Sequence, residues 1–472
     1  MNNIKNYLEH ISSRYSTNSA IEWTDYEHVS IISKSYKDLY NDVCKFVSYY
    51  GNNYDFKNKN IGILGINSYE YVVSVFGIIG LGGIVVPISY FETKDEIKQR
   101  IIDTDIYAVF YDETFYNKID DNDCIKLSLL SYEAESITEE AKFIESDINK
   151  PVAMIFTSGT TGKSKCAMLS LKNIFTVCDS YKDLVESSSK EFKTIYSKAL
   201  FTPPFYHVFG LSGLFCMLKT RTTICLCGDI KKIDIYEEVI DYDYALAVPI
   251  ILDKWARDIA HGKTTVINKL KTILYGGSFA SKKTTDVLLD NGINIIRVYA
   301  MTETGGIGIN CLMDKNTPDN LLGKPFKNIE VKIIDDEICF RGDSIMLGYY
   351  KNEDDNIIED GWLHSGDLGY IKDGNIYISG RKKNTIILAS GENVIPEEIE
   401  NVLSKNTNII EVVVKEKNDK ICSVIYCKNG NESDIEEYIK KFNKSNPTYK
   451  RIGLIEYRYE PFKKNASGKI LR

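Results

Sequence analysis

Ile155 to Lys165 reads IFTSGTTGKSK: an apolar run delivers the chain into a loop of hydroxyls and glycines that closes on Lys163 and Lys165. Gly159 and Gly162 can reach positive φ, so successive backbone N–H groups can converge on an anion while the Ser, Thr and Lys side chains add donors. The stretch reads as a phosphate-holding loop set after a strand. Walker A spacing does not fit it. That loop needs four residues between its glycine and its Gly-Lys pair, and here only Thr160 and Thr161 separate Gly159 from Gly162. The plain alternative is an ordinary Ser/Thr/Gly turn.

Four further stretches decide between them: YAMTETGG at Tyr299 to Gly306, GWLHSGDLGY at Gly361 to Tyr370, GRKKNTIILASGENVIPEEIE at Gly380 to Glu400, and NASGKILR at Asn465 to Arg472. With the loop, they resemble the motif set of the adenylate-forming superfamily, which includes acyl-CoA synthetases, the adenylation domains of peptide synthetases and beetle luciferases. Five matches in order over roughly three hundred residues exclude coincidence. The resemblance covers nearly the whole chain and is weakest over its first 150 residues.

At 472 residues the chain exceeds what one core usually holds, so at least two domains are expected. Its net charge of −8 argues against a nucleic-acid surface, which needs clustered Lys and Arg. The eleven cysteines are scattered, with no CxxC pair and no Cys/His spacing suited to zinc, and read as reduced thiols of a cytoplasmic protein. Cys225 and Cys227 sit two apart in TICLC, which on a strand points both to one face. MNNIKNYLEHISSRYS lacks a signal pattern and reads as an amphipathic helix. Tyr71 to Ser89 is long and uncharged enough to raise a membrane question, but Gly82-Gly83 and the following IVVPI point to a buried helix turning into a buried strand. No integral membrane segment is expected.

β-rich runs at 61, 84, 107, 153 and 293 alternate with helical stretches, the pattern of βαβ units and parallel sheets. Beyond about Gly323 the character shifts to hairpins, such as EVKIIDDEICFRG and YIKDGNIYISG with its Asp-Gly turn. PEEIENVLSK then opens a small α/β unit as a helix with Pro396 at its start. The fold class expected is α/β. The resemblance implies a large N-terminal AMP-binding domain over 1–382, built of βαβ-type sheets plus a β-rich subdomain, and a small mobile α+β C-terminal lid over 383–472. Its hinge would be Lys383.

The superfamily's first reaction joins a carboxylate to the α-phosphate of ATP and expels pyrophosphate, so two anions must meet and the site must manage charge. By resemblance, Thr157, Ser158, Gly159, Thr160, Thr161, Gly162 and Lys165 form the loop over the β and γ phosphates. Glu303 matches the Mg²⁺-binding glutamate, Thr302 a hydrogen-bond donor to the α-phosphate, and Tyr299 the aromatic that stacks on adenine. Gly276, Gly277 and Ser278 match the strand end lining the adenine and acyl pockets. Asp367 and Arg381 match the ribose contacts. Lys469 matches the lysine bridging carboxylate and α-phosphate, and Asn393 stands where many relatives place a polar residue near the AMP phosphate. The Gly391 loop would face the phosphopantetheine arm of the thiol once the lid has turned.

His207, in TPPFYHVFGLSG, matches an aromatic-rich segment beside the acyl pocket of fatty-acid and aryl-acid ligases. Relatives that activate amino acids place an Asp in this segment, and Phe205, Tyr206 and His207 offer no partner for a buried ammonium. Gly305, Gly306 and Gly308 hint at room for an acyl chain. The expectation is an ATP- and Mg²⁺-dependent acid–thiol ligase taking a fatty or aromatic carboxylic acid, with CoA as the thiol. Transfer to the phosphopantetheine of an acyl carrier protein is the nearest alternative, amino-acid adenylation a weaker one, and no fused carrier domain is expected.

Overall fold

Short aliphatic runs become interior strands when both faces are covered, and NIGIL does so as strand Asn60–Leu64, buried at all five residues. The computed structural model describes residues 2–25, 28–120, 124–130, 141–145, 147–157, 165–187, 198–228, 230–263, 265–352, 357–388, 392–418, 420–463 and 470. The chain packs as two units. The first comprises Met1–Thr317, Pro325–Glu330 and Phe340–Leu363, the second Pro318–Lys324, Val331–Cys339 and His364–Arg472.

The first unit holds two sheets. One runs in the order Gly348–Tyr349, Cys166–Ser170, Pro151–Phe156, Ile84–Ile88, Asn60–Leu64, Ile106–Tyr111, Ile125–Ser128. Its pairings are parallel except at the Gly348 end, where Cys166–Ser170 runs against both neighbours. Parallel neighbours need crossovers, and helix Tyr69–Gly80 supplies the first, capped by the Ser68 side chain and buried along nearly its whole length. Gly82, at φ +71°, turns it into strand Ile84–Ile88, as the Gly-Gly break implied. No helix among the described residues is long and apolar enough to cross a membrane.

Within the first unit the other sheet runs Ile309–Leu312, Asn294–Tyr299, Thr272–Tyr275, Tyr244–Ala247, Lys198–Phe201, Thr223–Leu226, Ser19–Asp25, Ser30–Ser35, and over this stretch only the first and last pairings are antiparallel. Cys225 and Cys227 share one core with Leu200, Trp255 and Tyr275, which confirms their common face. All eleven cysteines are free thiols. The N-terminal stretch forms helix Ile4–Tyr15, burying Ile4, Tyr7, Leu8 and Ile11 at helical spacing.

The second unit is built from hairpins and a small α+β layer. Asp335 and Asp336 both adopt positive φ between strands Glu330–Ile334 and Glu337–Arg341. Asp373 and Gly374 do the same between Trp362–Lys372 and Asn375–Arg381, the two-residue turn that Asp-Gly favours. Helices Pro396–Leu403 and Glu432–Ser445 cover a sheet of Ile409–Lys417, Lys420–Cys427 and Ile452–Arg458, with Ile399, Val414, Ile425 and Ile439 in the core. Lys383 sits inside this unit, exposed in the 3₁₀ turn Lys382–Asn384. A division after Lys382 would therefore be one of motion rather than packing.

Candidate active site

The glycine- and hydroxyl-rich loop joins two antiparallel strands, Pro151–Phe156 and Cys166–Ser170, with Phe156 opposite Cys166. The Thr157 N–H donates to the Lys165 carbonyl at 2.8 Å and closes its neck. A Walker A loop feeds a helix. This strand–loop–strand setting agrees with the exclusion made on spacing. Of the loop residues, Thr157 and Lys165 are described; Ser158, Gly159, Thr160, Thr161 and Gly162 lie outside the described residues, as do Gly391 and Lys469.

YAMTETGG leaves the sheet at Tyr299 and turns through the 3₁₀ segment Thr302–Thr304. Gly305 and Gly306 have φ of +71° and +96°, and a Cβ on Gly305 would lie 2.9 Å from the Ser344 carbonyl. Both glycines are therefore required for the turn. The Ser212 hydroxyl donates to the Gly305 carbonyl at 2.7 Å, and Thr304 Oγ1 accepts from the Met301 N–H. Tyr299 is half-buried and stacks on Phe340 with centroids 6.1 Å apart. Gly276 follows strand Thr272–Tyr275, where a Cβ would come 3.2 Å from the Val298 carbonyl, and Gly277 takes φ +91° before Ser278. The adjacent strands thus carry Gly276 and Tyr299 on neighbouring ends of one sheet.

Glu303 is buried, 7 % exposed. The Tyr349 hydroxyl donates to its Oε1 at 2.6 Å, the Met346 N–H donates to its carbonyl at 2.9 Å, and among the described residues it makes no ion pair. A carboxylate so placed, with a neutral donor on one oxygen only, suits a hard divalent cation that takes oxygen ligands. Lys165 stands over the Tyr349 ring, its Nζ 5.0 Å from the centroid.

In the second unit Asp367 and Arg381 are directly opposite across a hairpin, and Arg381 Nε lies 3.0 Å from Asp367 Oδ1. A bulge sets this register. Leu368 faces Gly380 and Gly369 faces Ile378, so Ser379 is the extra residue, and without it Asp367 would face Gly380. Gly369 permits the close approach, since a Cβ there would meet the Tyr377 carbonyl at 2.3 Å. Beside this pair, Glu337 is 3 % exposed and accepts from His364 Nδ1 at 3.1 Å, Lys382 Nζ at 2.9 Å and the Gly366 N–H at 2.6 Å. Burial alone would raise its pKa; the lysine, histidine and peptide donors outweigh that and hold the carboxyl below the usual range. Asn393 lies exposed in the short strand Asn393–Val394.

The aromatic segment is clasped by Asn67, whose Nδ2 donates to the Pro203 carbonyl and whose Oδ1 accepts from the Phe205 N–H, both at 2.9 Å. His207 precedes helix Val208–Lys219, and Gly210 must lack a Cβ because one would lie 2.1 Å from the Pro204 carbonyl. Burial lowers the His207 pKa to about 4, so the imidazole is neutral at pH 7. A narrow cavity of about 30 Å³ is lined by Val177, Phe209, Ser212, Met217, Gly306 and Ile307 among others. Its wall is apolar and carries no charged group.

Thr157, Lys165, Gly276, Tyr299, Thr302, Glu303 and His207 all belong to the first unit, where Tyr349 links Lys165 to Glu303, and Asp367 pairs with Arg381 in the second. Sequence reading missed Tyr349 and Glu337. Glu337 did leave a signal, an acid in the apolar run EICF; Tyr349, in IMLGYY, left none.

The family described as AMP-binding enzyme matches residues 10–350. The chain is 27% identical over 451 residues to 4-coumarate-CoA ligase 1 of Narcissus pseudonarcissus, covering 86% of this chain and 81% of that protein. It is 26% identical over 447 residues to 2-succinylbenzoate--CoA ligase of Oceanobacillus iheyensis, covering 88% of each. Its fold superposes with a TM-score of 0.83 on O-succinylbenzoate Coenzyme A synthetase (MenE) of Bacillus subtilis in complex with AMP, at 22% identity, over 99% of this chain and 97% of that one.

Proposed function

From the premise that this chain belongs to the AMP-binding enzyme family, we propose that it is an AMP-forming acid–CoA ligase acting on an apolar, amine-free carboxylic acid. In the first step an oxygen of the acid attacks the α-phosphorus of ATP and the bond to pyrophosphate breaks. In the second the CoA sulfur attacks the acyl carbonyl and AMP leaves. The observation that carries the reading is Glu303, a buried carboxylate with one neutral side-chain donor and no ion pair among the described residues. Its phenol donor, Tyr349, lies under the ammonium of Lys165, which ends the anion loop. Glu303 would hold Mg²⁺, which when bound screens the phosphate charge that repels the incoming acid.

The other roles are those that the resemblance to the family implies. Thr157 and Lys165 would hold the β and γ phosphates, Thr302 the α-phosphate, and Tyr299 with Gly276 the adenine. Asp367, its charge oriented by Arg381, would accept from the ribose hydroxyls. Neutral His207 and the uncharged cavity lined by Phe209, Ser212 and Gly306 favour an acid without an amine or a second charge. Lys469 would bridge acid and phosphate, and Lys383 would turn the C-terminal segment so that the Gly391 loop meets the thiol. A cytoplasmic site of action is part of the proposal, supported by eleven free thiols.

Acid-dependent ATP–pyrophosphate exchange, run over aromatic, fatty and amino acids, tests the first step. Exchange with amine-free acids only is expected, and robust exchange with a proteinogenic amino acid overturns the substrate class. Thioester formation with CoA and with a phosphopantetheinylated carrier protein, in parallel, tests the acceptor. Lys383→Pro, which fixes φ near −65°, is expected to retain exchange and lose most thioester formation. Equal retention of both half-reactions would refute the pivot.

A further inference from the structure

Tyr349 is buried, 9 % exposed, on the two-residue strand Gly348–Tyr349, and pairs with Ala167, two positions beyond Lys165. Its two ends meet two different parts of the site. The hydroxyl donates to Glu303 Oε1 at 2.6 Å, and the ring lies under the Lys165 ammonium at 5.0 Å. A phenol donates to a carboxylate without bringing positive charge, so one oxygen is fixed while the full negative charge stays available to a cation. The ring in turn attracts an ammonium through its quadrupole without neutralising it.

We propose that Tyr349 is the positioning residue that couples the anion loop to the metal-binding carboxylate, aiming Glu303 with its hydroxyl and seating Lys165 on its ring. The inference rests on the roles proposed above for Glu303 and Lys165. It separates into two halves, because Tyr349→Phe removes the hydroxyl and keeps the ring, whereas Tyr349→Leu removes both.

Binding of ATP is measured by calorimetry without acid, in EDTA and across a Mg²⁺ titration, alongside pyrophosphate exchange. Tyr349→Phe is expected to raise half-saturating Mg²⁺ roughly tenfold, the scale of a hydrogen bond to a charged group, while metal-free ATP affinity stays within about twofold. Tyr349→Leu is expected to show the same metal shift and, in addition, metal-free ATP binding weakened about threefold to fivefold. Should Tyr349→Leu fail to fold, Lys165→Met supplies the second arm, with weaker metal-free ATP binding expected and half-saturating Mg²⁺ unchanged. Wild-type metal dependence in Tyr349→Phe, or equal loss of metal-free ATP affinity in Tyr349→Phe and Tyr349→Leu, overturns the inference. Wild-type protein that binds ATP without regard to Mg²⁺ overturns the functional reading beneath it instead.

Discussion

Two buried glutamates, one in each unit, are treated in opposite ways. Glu337 receives a lysine, a histidine and a peptide N–H, so its charge is consumed within the protein. Glu303 receives a single phenol on its side chain and, among the described residues, no cation. A buried carboxylate with so little around it is costly unless a further group completes it. The first pattern holds a turn in place; the second is a socket.

The largest effect that would break this contrast is expected at Glu303. Glu303→Gln should slow pyrophosphate exchange by about two to three orders of magnitude, the scale of losing a preorganised electrostatic partner, and should raise the Mg²⁺ requirement. Unaltered metal dependence would mean that the socket serves no cation. Asp367→Ala comes next, with AMP binding weakened roughly 10- to 100-fold by loss of a charged acceptor and an unchanged Mg²⁺ requirement. Calorimetry with AMP and no metal reads it directly.

Effects on stability rather than catalysis should follow at Glu337 and His207. Glu337→Gln leaves an amide donor facing the Gly366 N–H and should cost about 1–3 kcal/mol in denaturant unfolding. Because the folded carboxyl titrates below its ordinary value, the wild-type advantage should persist above about pH 4.5 and fade as pH falls through the lower folded value. His207 works through a higher window. Its folded pKa of about 4 lies below the unfolded 6.5, so burying it neutral favours the fold above about pH 6.5 and stability drains as pH falls toward 4. His207→Gln should remove up to about 3 kcal/mol of that acid sensitivity, read as the difference between the two unfolding profiles at pH 7 and pH 4.5. Parallel profiles would show that the imidazole is solvated.

Features set by local rules were legible in the sequence. The strands at 60, 84, 106, 151 and 294 follow from short β-rich apolar runs, and the Asp-Gly turn at 373 from its need for positive φ. The motif at Tyr299 announced its turn through Gly305 and Gly306. What escaped depends on distant pairing. The Asp367–Arg381 contact needs the bulge at Ser379, and counting back from the turn puts Gly380 opposite Asp367 instead. Tyr349 meets Glu303 across 46 residues and Ala167 across a far longer span, and neither partner marks its own neighbourhood with an unusual residue.

That long span bears on how the protein is made. Strand Gly348–Tyr349 forms the outer edge of its sheet against Cys166–Ser170, and Asn173 likewise waits for the carbonyls of Asp343 and Ile345, 170 and 172 residues onward. A chain emerging from the ribosome can assemble the Cys166–Ser170 strand early, but its outer edge stays unpaired until residue 349 arrives. During that interval the edge is open to pairing with another chain, and Glu303 is without its phenol. Glu303 thus gains its phenol late in synthesis, from a two-residue strand that closes a long loop after most of the first unit exists.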